Sequence, residues 1–269
     1  PWELPPFPGP YSRIWQPALA LWKKEHLIVV YGGQLEGKID MGDMRCSVSK
    51  DDGDTWSYPV AVFDHRERFG TMQFGYANPV LYHPPGQNIV WCFAMRCPLH
   101  YENSEISHLC AAYTADGGRS WVPVELTLHH HLPPITCAGV VRYAEGSEVR
   151  YLLPVHGNPM GHVSKADANH WVLESSNLLE WTLAGYIPND EAQMVFPHEG
   201  NIDFGRDDEE LKIVMRTGQY RDLRKAIDPP TAYSSLSRDG GRTWSSVQPE
   251  PELYNTVSKA FYGRDSHGK

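Results

Sequence analysis

The segment FPHEGNIDFGRDDEELKIVMRTG places Glu199 at the start of one apolar run and Arg216 at the end of the next, 216 − 199 = 17 positions on. If the two runs form a hairpin, those ends are neighbours. Carboxylates and arginines gathered at one place offer two kinds of chemistry. A carboxylic acid held partly protonated by burial can protonate a leaving oxygen, and the planar arginine fork meets an anionic carboxylate bidentately. Two other segments carry similar groups. SRIWQPALAL supplies Arg13, and the glycine-rich GGQLEGKIDMGDMRCSVSKDDG supplies Glu36, Asp40 and Asp43, of which Asp43 adjoins the run MRCSVS and reads as structural.

The elements that would hold these groups announce themselves by repetition. SKDDGDTW (Ser49 to Trp56), TADGGRSW (Thr114 to Trp121) and SRDGGRTW (Ser237 to Trp244) share the pattern [ST]-x-D-x-G-x-[ST]-W. Their Asp residues are spaced 116 − 51 = 65 and 239 − 116 = 123, so a further copy is expected near position 177. SSNLLEW, Ser175 to Trp181, is that copy in degenerate form, with Asn177 in place of Asp and one residue fewer before Trp181. A sustained period of about 60 residues predicts a repeat architecture.

Within each period the residues read as strands, because β-branched and aromatic runs are bounded by Gly, Pro, Asn or Asp. PALALW, HLIVVY and MRCSVS precede the first box; NPVLYH, NIVWCFAM and HLCAAYT the second. GVVRYA, VRYLLPV and HWVLES precede the third, and NIDFG, LKIVMR and TAYSSLS the fourth. With one strand after each box, the unit is a four-stranded antiparallel β-propeller blade. Each box is then a hairpin turn in which Asp and Ser or Thr bind local backbone, Gly supplies a positive φ and Trp packs into the adjacent sheet. Because antiparallel strands reverse, the boxes lie at one end of the blades and the candidate ligand groups at the other. Arg13, Glu36, Asp40, Asn78, Arg96, His156, Asn158, His198, Glu199 and Arg216 all fall in the segments at that second end.

The boxes resemble the Asp-box, or bacterial neuraminidase repeat, of the sialidase superfamily, whose catalytic domains are six-bladed propellers. The resemblance implies an all-β fold, a single sialidase-like domain over residues 1–269 with about four blades and the start of a fifth, incomplete at its C-terminus. It implies an exo-acting glycoside hydrolase that releases a terminal acidic sugar from a glycan. Under it, Glu199 is similar to the carboxylate that polarises a nucleophilic Tyr, and Arg216 to an arginine that binds the substrate carboxylate. SRIWQP resembles the Arg-Ile-Pro motif that opens such domains, with Trp15 and Gln16 inserted before Pro17. The loop before the first box resembles the one carrying the acid/base Asp, which selects Asp40, with Asp43 and Glu36 as rivals. Arg96, Glu36, Asn78, His156, Asn158 and His198 complete the expected substrate-binding set. The Tyr and third Arg of the family belong to later blades, so the chain alone is expected to be inactive. Two alternatives stay open: another carbohydrate-active propeller, such as a lyase or a hydrolase for a different sugar acid, and a non-catalytic glycan- or protein-binding propeller.

Composition narrows the partners. The net charge of −9 and the lack of a basic cluster interleaved with aromatics argue against nucleic acid. No apolar run approaches the ~18 residues of a membrane span, and no signal peptide is visible. An extracellular or periplasmic location follows only from the resemblance. Five Cys without CxxC spacing read as small buried hydrophobes rather than a zinc site. Neither a metal nor a cofactor is expected, since the adjacent His129, His130 and His131 cannot all turn to one ion.

Overall fold

A computed structural model describes residues 9, 11–24, 26–100, 106–131, 133–136, 138–157, 170–188, 195–205, 209–219, 230–255 and 259–263, with the backbone alone at 12, 68–69, 195–198 and 217–219. The apolar runs of the sequence form nineteen strands, and no helix occurs among the described residues. The chain divides into two compact units, Pro1–Leu126 and Thr127–Lys269.

The first unit holds β1 (Tyr11–Lys23), β2 (His26–Leu35), β3 (Gly42–Ser49), β4 (Val60–Phe63), β5 (Arg68–Phe69), β6 (Met72–Tyr82), β7 (Val90–Pro98), β8 (His108–Thr114) and β9 (Val122–Val124). Strands β1 to β4 form one antiparallel meander and β6 to β9 a second, joined by a bridge between Gly42 and Tyr76. At Gly42 an added Cβ would lie 1.8 Å from the Gly33 carbonyl oxygen of β2, so only glycine lets β3 lie this close to β2 at that point.

The second unit holds β10 (Thr127–His129), β11 (Ile135–Thr136), β12 (Val141–Glu145), β13 (Glu148–His156), β14 (His170–Ser175), β15 (Glu180–Ile187), β16 (Val195–Phe204), β17 (Leu211–Gln219), β18 (Thr231–Ser237) and β19 (Gln248–Tyr254). Strands β16 to β19 are a four-stranded meander, and β11 with β12 through β15 form another, extended by β10 in parallel with β15. These four meanders are the blades expected from the repeats. Among the described strand pairs, β10–β15 departs from antiparallel order, a pairing made by the connection that enters the unit.

The central strands are covered on both faces and therefore lose polar alternation. In β3 every residue except Val48 is buried. In the second unit, Leu152, Val172, Ile202, Ile213 and Met215 form one core with the box residue Trp244. The boxes themselves behave as turns. Asp239 accepts the Thr243 amide at 2.9 Å and its hydroxyl at 2.5 Å, and Ser237 Oγ accepts the Gly241 amide at 2.9 Å. The degenerate copy keeps this wiring, since Asn177 accepts the Glu180 amide at 2.9 Å and Ser175 the Leu178 amide at 2.8 Å. Leu178 stands at φ 67 where the other boxes have Gly53, Gly118 and Gly241 at positive φ.

Candidate functional site

Strand register fixes which end of each blade carries the candidate residues. In the fourth blade Leu211 pairs with both Phe204 and Ser237 at the box end, whereas Arg216 pairs with His198 five residues further along. At ~3.4 Å per residue the two ends are about 17 Å apart. The first blade repeats this: Leu27 faces Ser49 beside the box, and Gln34, opposite Arg13, lies at the far end. In the second, Val90 faces Thr114 at the box and Arg96 pairs with Tyr76 and His108 at the other end. Box turns and candidate residues are thus separated within each of these blades.

Glu199 and Arg216 meet as an ion pair through Arg216 Nε, with side chains 17% and 15% exposed. The contact depends on an irregularity in β16. His198 pairs with Arg216 and Asn201 with Val214, so one extra residue is accommodated between them in a bulge. Glu199 occupies the left-handed region at φ 50, a conformation that costs a non-glycine residue ~1–3 kcal/mol and clusters at functional sites.

The same device recurs in the first strands of two other blades. Gln16 in β1 stands at φ 52 and Asn78 in β6 at φ 53, each at a one-residue register shift. Pro17 and Pro79 follow them, and a bulge is one of the few places a strand tolerates proline. The Trp15–Gln16 insertion before Pro17 is therefore part of this recurring bulge. Gln16 Oε1 also accepts the Asn78 amide at 2.8 Å, linking the two bulges of the first unit.

Around Arg13 the structure gathers two partners. Its Nε donates to Gln34 Oε1 at 3.0 Å, and its Nη2 lies 3.9 Å from Asp40, with side chains 58% and 40% exposed. Asp40 also adopts positive φ, at 51. Glu36 sits exposed in the turn between β2 and β3. Arg96 leans over the Phe74 ring and faces Glu125 at 3.7 Å. Asn78 is buried, with its Nδ2 against Met95 Sδ at 3.8 Å. In the second unit His156 is buried and its Nδ1 is bound to the Gly157 carbonyl at 2.7 Å. Asn158 and the His198 side chain lie outside the described residues, as does Cys137; Cys46, Cys92, Cys97 and Cys110 are free and buried.

Asp43, read from the sequence as structural, anchors a polar cluster of the first unit whose other members carried no signal in the sequence. Asp43, fully buried, accepts the Tyr11 hydroxyl, Arg45 Nη2 at 3.2 Å, and both the amide and Nδ1 of His65 at 2.6 and 2.7 Å. Arg45 continues to Asp64 at 2.9 Å, and Arg66 donates to Asp64 as well. Burial, followed by the Asp43 hydrogen bond, pushes the Tyr11 hydroxyl up to about 12. Hydrogen bonding from Arg66, assisted by Arg45, holds Asp64 well below the usual carboxylate range. Asp43, Asp64 and His65 have the spacing of a metal-ligand trio. Their donor set does not suit a cation, because the Arg45 guanidinium already stands against both carboxylates and His65 Nδ1 is turned to Asp43. No local motif signals the cluster, whose members come from β1, β3 and the turn after β4.

The histidine run packs as aromatic surface. His130 sits 5.2 Å from the Trp171 ring and 5.0 Å from that of His131, and its Nε2 lies 3.2 Å from the Tyr186 hydroxyl.

Repeated four-stranded meanders, box turns at one end and paired carboxylates and arginines at the other, define a β-propeller of the sialidase type. The BNR repeat-like domain model matches residues 12–261, and the chain belongs to that family. Among solved structures, the NanB sialidase of Streptococcus pneumoniae superposes with a TM-score of 0.63 at 12% identity, over 92% of this chain and 53% of its own. An intramolecular trans-sialidase from Ruminococcus gnavus gives 0.63 at 14% identity, over 91% and 72%. An α-L-arabinofuranosidase from Fusarium graminearum gives 0.57 at 14% identity, over 91% and 68%. The chain thus spans about half the length of the NanB chain. No curated protein matches it in sequence.

Proposed function

We propose that this chain forms the substrate-binding part of an exo-acting glycoside hydrolase for a terminal acidic sugar. The observation that carries the reading is the Glu199–Arg216 pair, mostly buried on a strained bulge at the end of its blade away from the box. Strain of this kind persists only where the surroundings impose it. Arg216 serves as carboxylate fork, Glu199 as its electrostatic partner at the reacting centre, and Arg13 with Asp40 as a second arginine and the acid/base carboxylate. Arg96, Glu36, Asn78, His156, Asn158 and His198 are assigned to the sugar-binding surface. Glycosidase-like relatives in structure support the class of reaction.

A second reading, a hydrolase for a neutral sugar such as arabinose, is favoured by a different feature. Arg13 and Arg216 each already face a carboxylate, Asp40 and Glu199, so an anionic substrate must compete for both forks. Calorimetric titration of the chain with a free 2-keto sugar acid and with arabinose separates the two, with turnover of fluorogenic glycosides followed in parallel. Saturable binding of the acid that disappears in Arg216→Ala supports the first reading. Binding of arabinose alone favours the second, and no saccharide binding at all overturns both.

A further inference from the structure

Glu199 owes its orientation to the peptide that follows it. The Gly200 amide donates to His170 Nε2 at 3.0 Å, and the Gly200 carbonyl accepts the Ala138 amide at 3.1 Å. Both partners belong to the neighbouring blade of the same unit, where Ala138 also forms a parallel bridge with Asn201. The two peptide groups that meet at Gly200 are therefore both held by that blade, the Glu199–Gly200 peptide through its N–H and the Gly200–Asn201 peptide through its C=O. The fit is close: a Cβ at position 200 would lie 2.7 Å from His170 Nε2 and 2.7 Å from Ile213 Cδ1. His170 itself is fully buried at the first position of β14, paired with His156 in β13 and Ile187 in β15.

A ring nitrogen can accept an amide proton only when it carries none, so His170 is the neutral Nδ1-protonated tautomer. Its surroundings favour that state, because burial and then the nearby His156 push its protonation well below the ordinary histidine range. An apolar residue of similar size would leave the Gly200 amide without an acceptor in a buried bulge, a loss the backbone would answer by rotating. Rotation of that peptide swings the Cα–Cβ direction of Glu199, the residue immediately before it.

We propose that His170 is a positioning residue: by accepting the Gly200 amide it holds the β16 bulge and aims the Glu199 side chain at Arg216. The proposal rests on the reading of Glu199 as a site residue for its functional meaning, while its geometric content stands apart from any activity. It also gives a reason for glycine after Glu199, which the φ of Gly200 alone does not.

The first test uses the unaltered chain with 15N-labelled histidine and backbone. A through-hydrogen-bond coupling from the Gly200 amide to an unprotonated His170 Nε2 is expected; a protonated Nε2 at neutral pH would overturn the proposal. The second compares His170→Phe with His170→Gln, whose side-chain oxygen can still accept. Amide exchange at Gly200 should speed up by roughly tenfold or more in the Phe variant, with Ile213 in the next strand unchanged. The Gln variant should recover most of the protection. A crystal structure of His170→Phe should show the Glu199–Arg216 pair opened, and an intact pair with unchanged Gly200 exchange would refute the role. If these geometric results appear while no saccharide binds the wild-type chain, the positioning role stands and the functional reading fails.

Discussion

Arg216 holds the Glu199 carboxylate through its Nε across the first hairpin of the fourth blade, and the two side chains are 15% and 17% exposed. An ion pair so placed is costly to break from one side only, because the remaining charge stays partly out of water. Glu199→Gln or Arg216→Ala should each lower unfolding free energy by about 2–3 kcal/mol, less than the ~3–5 of a fully buried pair. The double variant should cost less than the sum of the singles. Urea unfolding of the four proteins measures this coupling, and strictly additive losses would contradict the pair.

How much of this was legible in the sequence depends on whether the cause is local. The boxes were readable because each is a self-contained turn: Asp51, Asp116 and Asp239 bind residues within four positions. Even the degenerate copy at Ser175 could be found from spacing alone. The Glu199–Arg216 neighbourhood was readable as two ends of one hairpin. The bulges were not, because φ values of 52 at Gln16 and 50 at Glu199 arise from register against a partner strand, which no short pattern records. This is why Trp15–Gln16 read as an insertion. Nor could Asp43 be linked to Tyr11, Asp64 and His65, since that meeting is made by sheet pairing between segments 32 and 22 positions apart.

Acid should weaken the fold through identifiable carboxylates. Asp64 is held well below its ordinary range first by Arg66, and Asp51 is lowered to about 2, first by the Thr55 hydroxyl and then by its amide. A carboxylate with a depressed folded value contributes stability above its unfolded value near ~3.9 and loses it as pH falls through the folded one. Thermal midpoints should hold steady from neutral pH down to about 5 and fall steeply below about 4. Asp64→Asn should be less stable at neutral pH and show a shallower acid limb; an unchanged limb would remove Asp64 from this account.

The Asp43 cluster makes opposite predictions for metal and for mutation. Its carboxylate takes four hydrogen bonds and is fully buried, so Asp43→Ala removes the acceptor shared by Tyr11, Arg45 and His65, leaving Arg45 to Asp64, and should cost about 3–5 kcal/mol. Added calcium or zinc, by contrast, should leave the thermal midpoint unchanged, because Arg45 occupies the position a cation would take. A saturable rise in midpoint on adding either metal would show that the guanidinium can be displaced.

The last prediction separates scaffold from site. Asp239 is the most conspicuous carboxylate of the fourth blade by motif, yet its oxygens are committed to Thr243, Arg242 and Ser237 within its own turn. The Trp244 that follows packs into the core shared by Leu152, Ile213 and Tyr233. Asp239→Ala should therefore lower stability by about 1–2 kcal/mol, the usual cost of losing a capping carboxylate. Saccharide affinity should not change, since Leu211 pairs with Ser237 at the box end while Arg216 lies five residues away along the same strand. Arg216→Ala should do the reverse in the binding assay, abolishing affinity at a temperature where both variants remain folded. Loss of binding in Asp239→Ala with an unaltered melting curve would place the ligand at the box end and undo the assignment of Glu199 and Arg216.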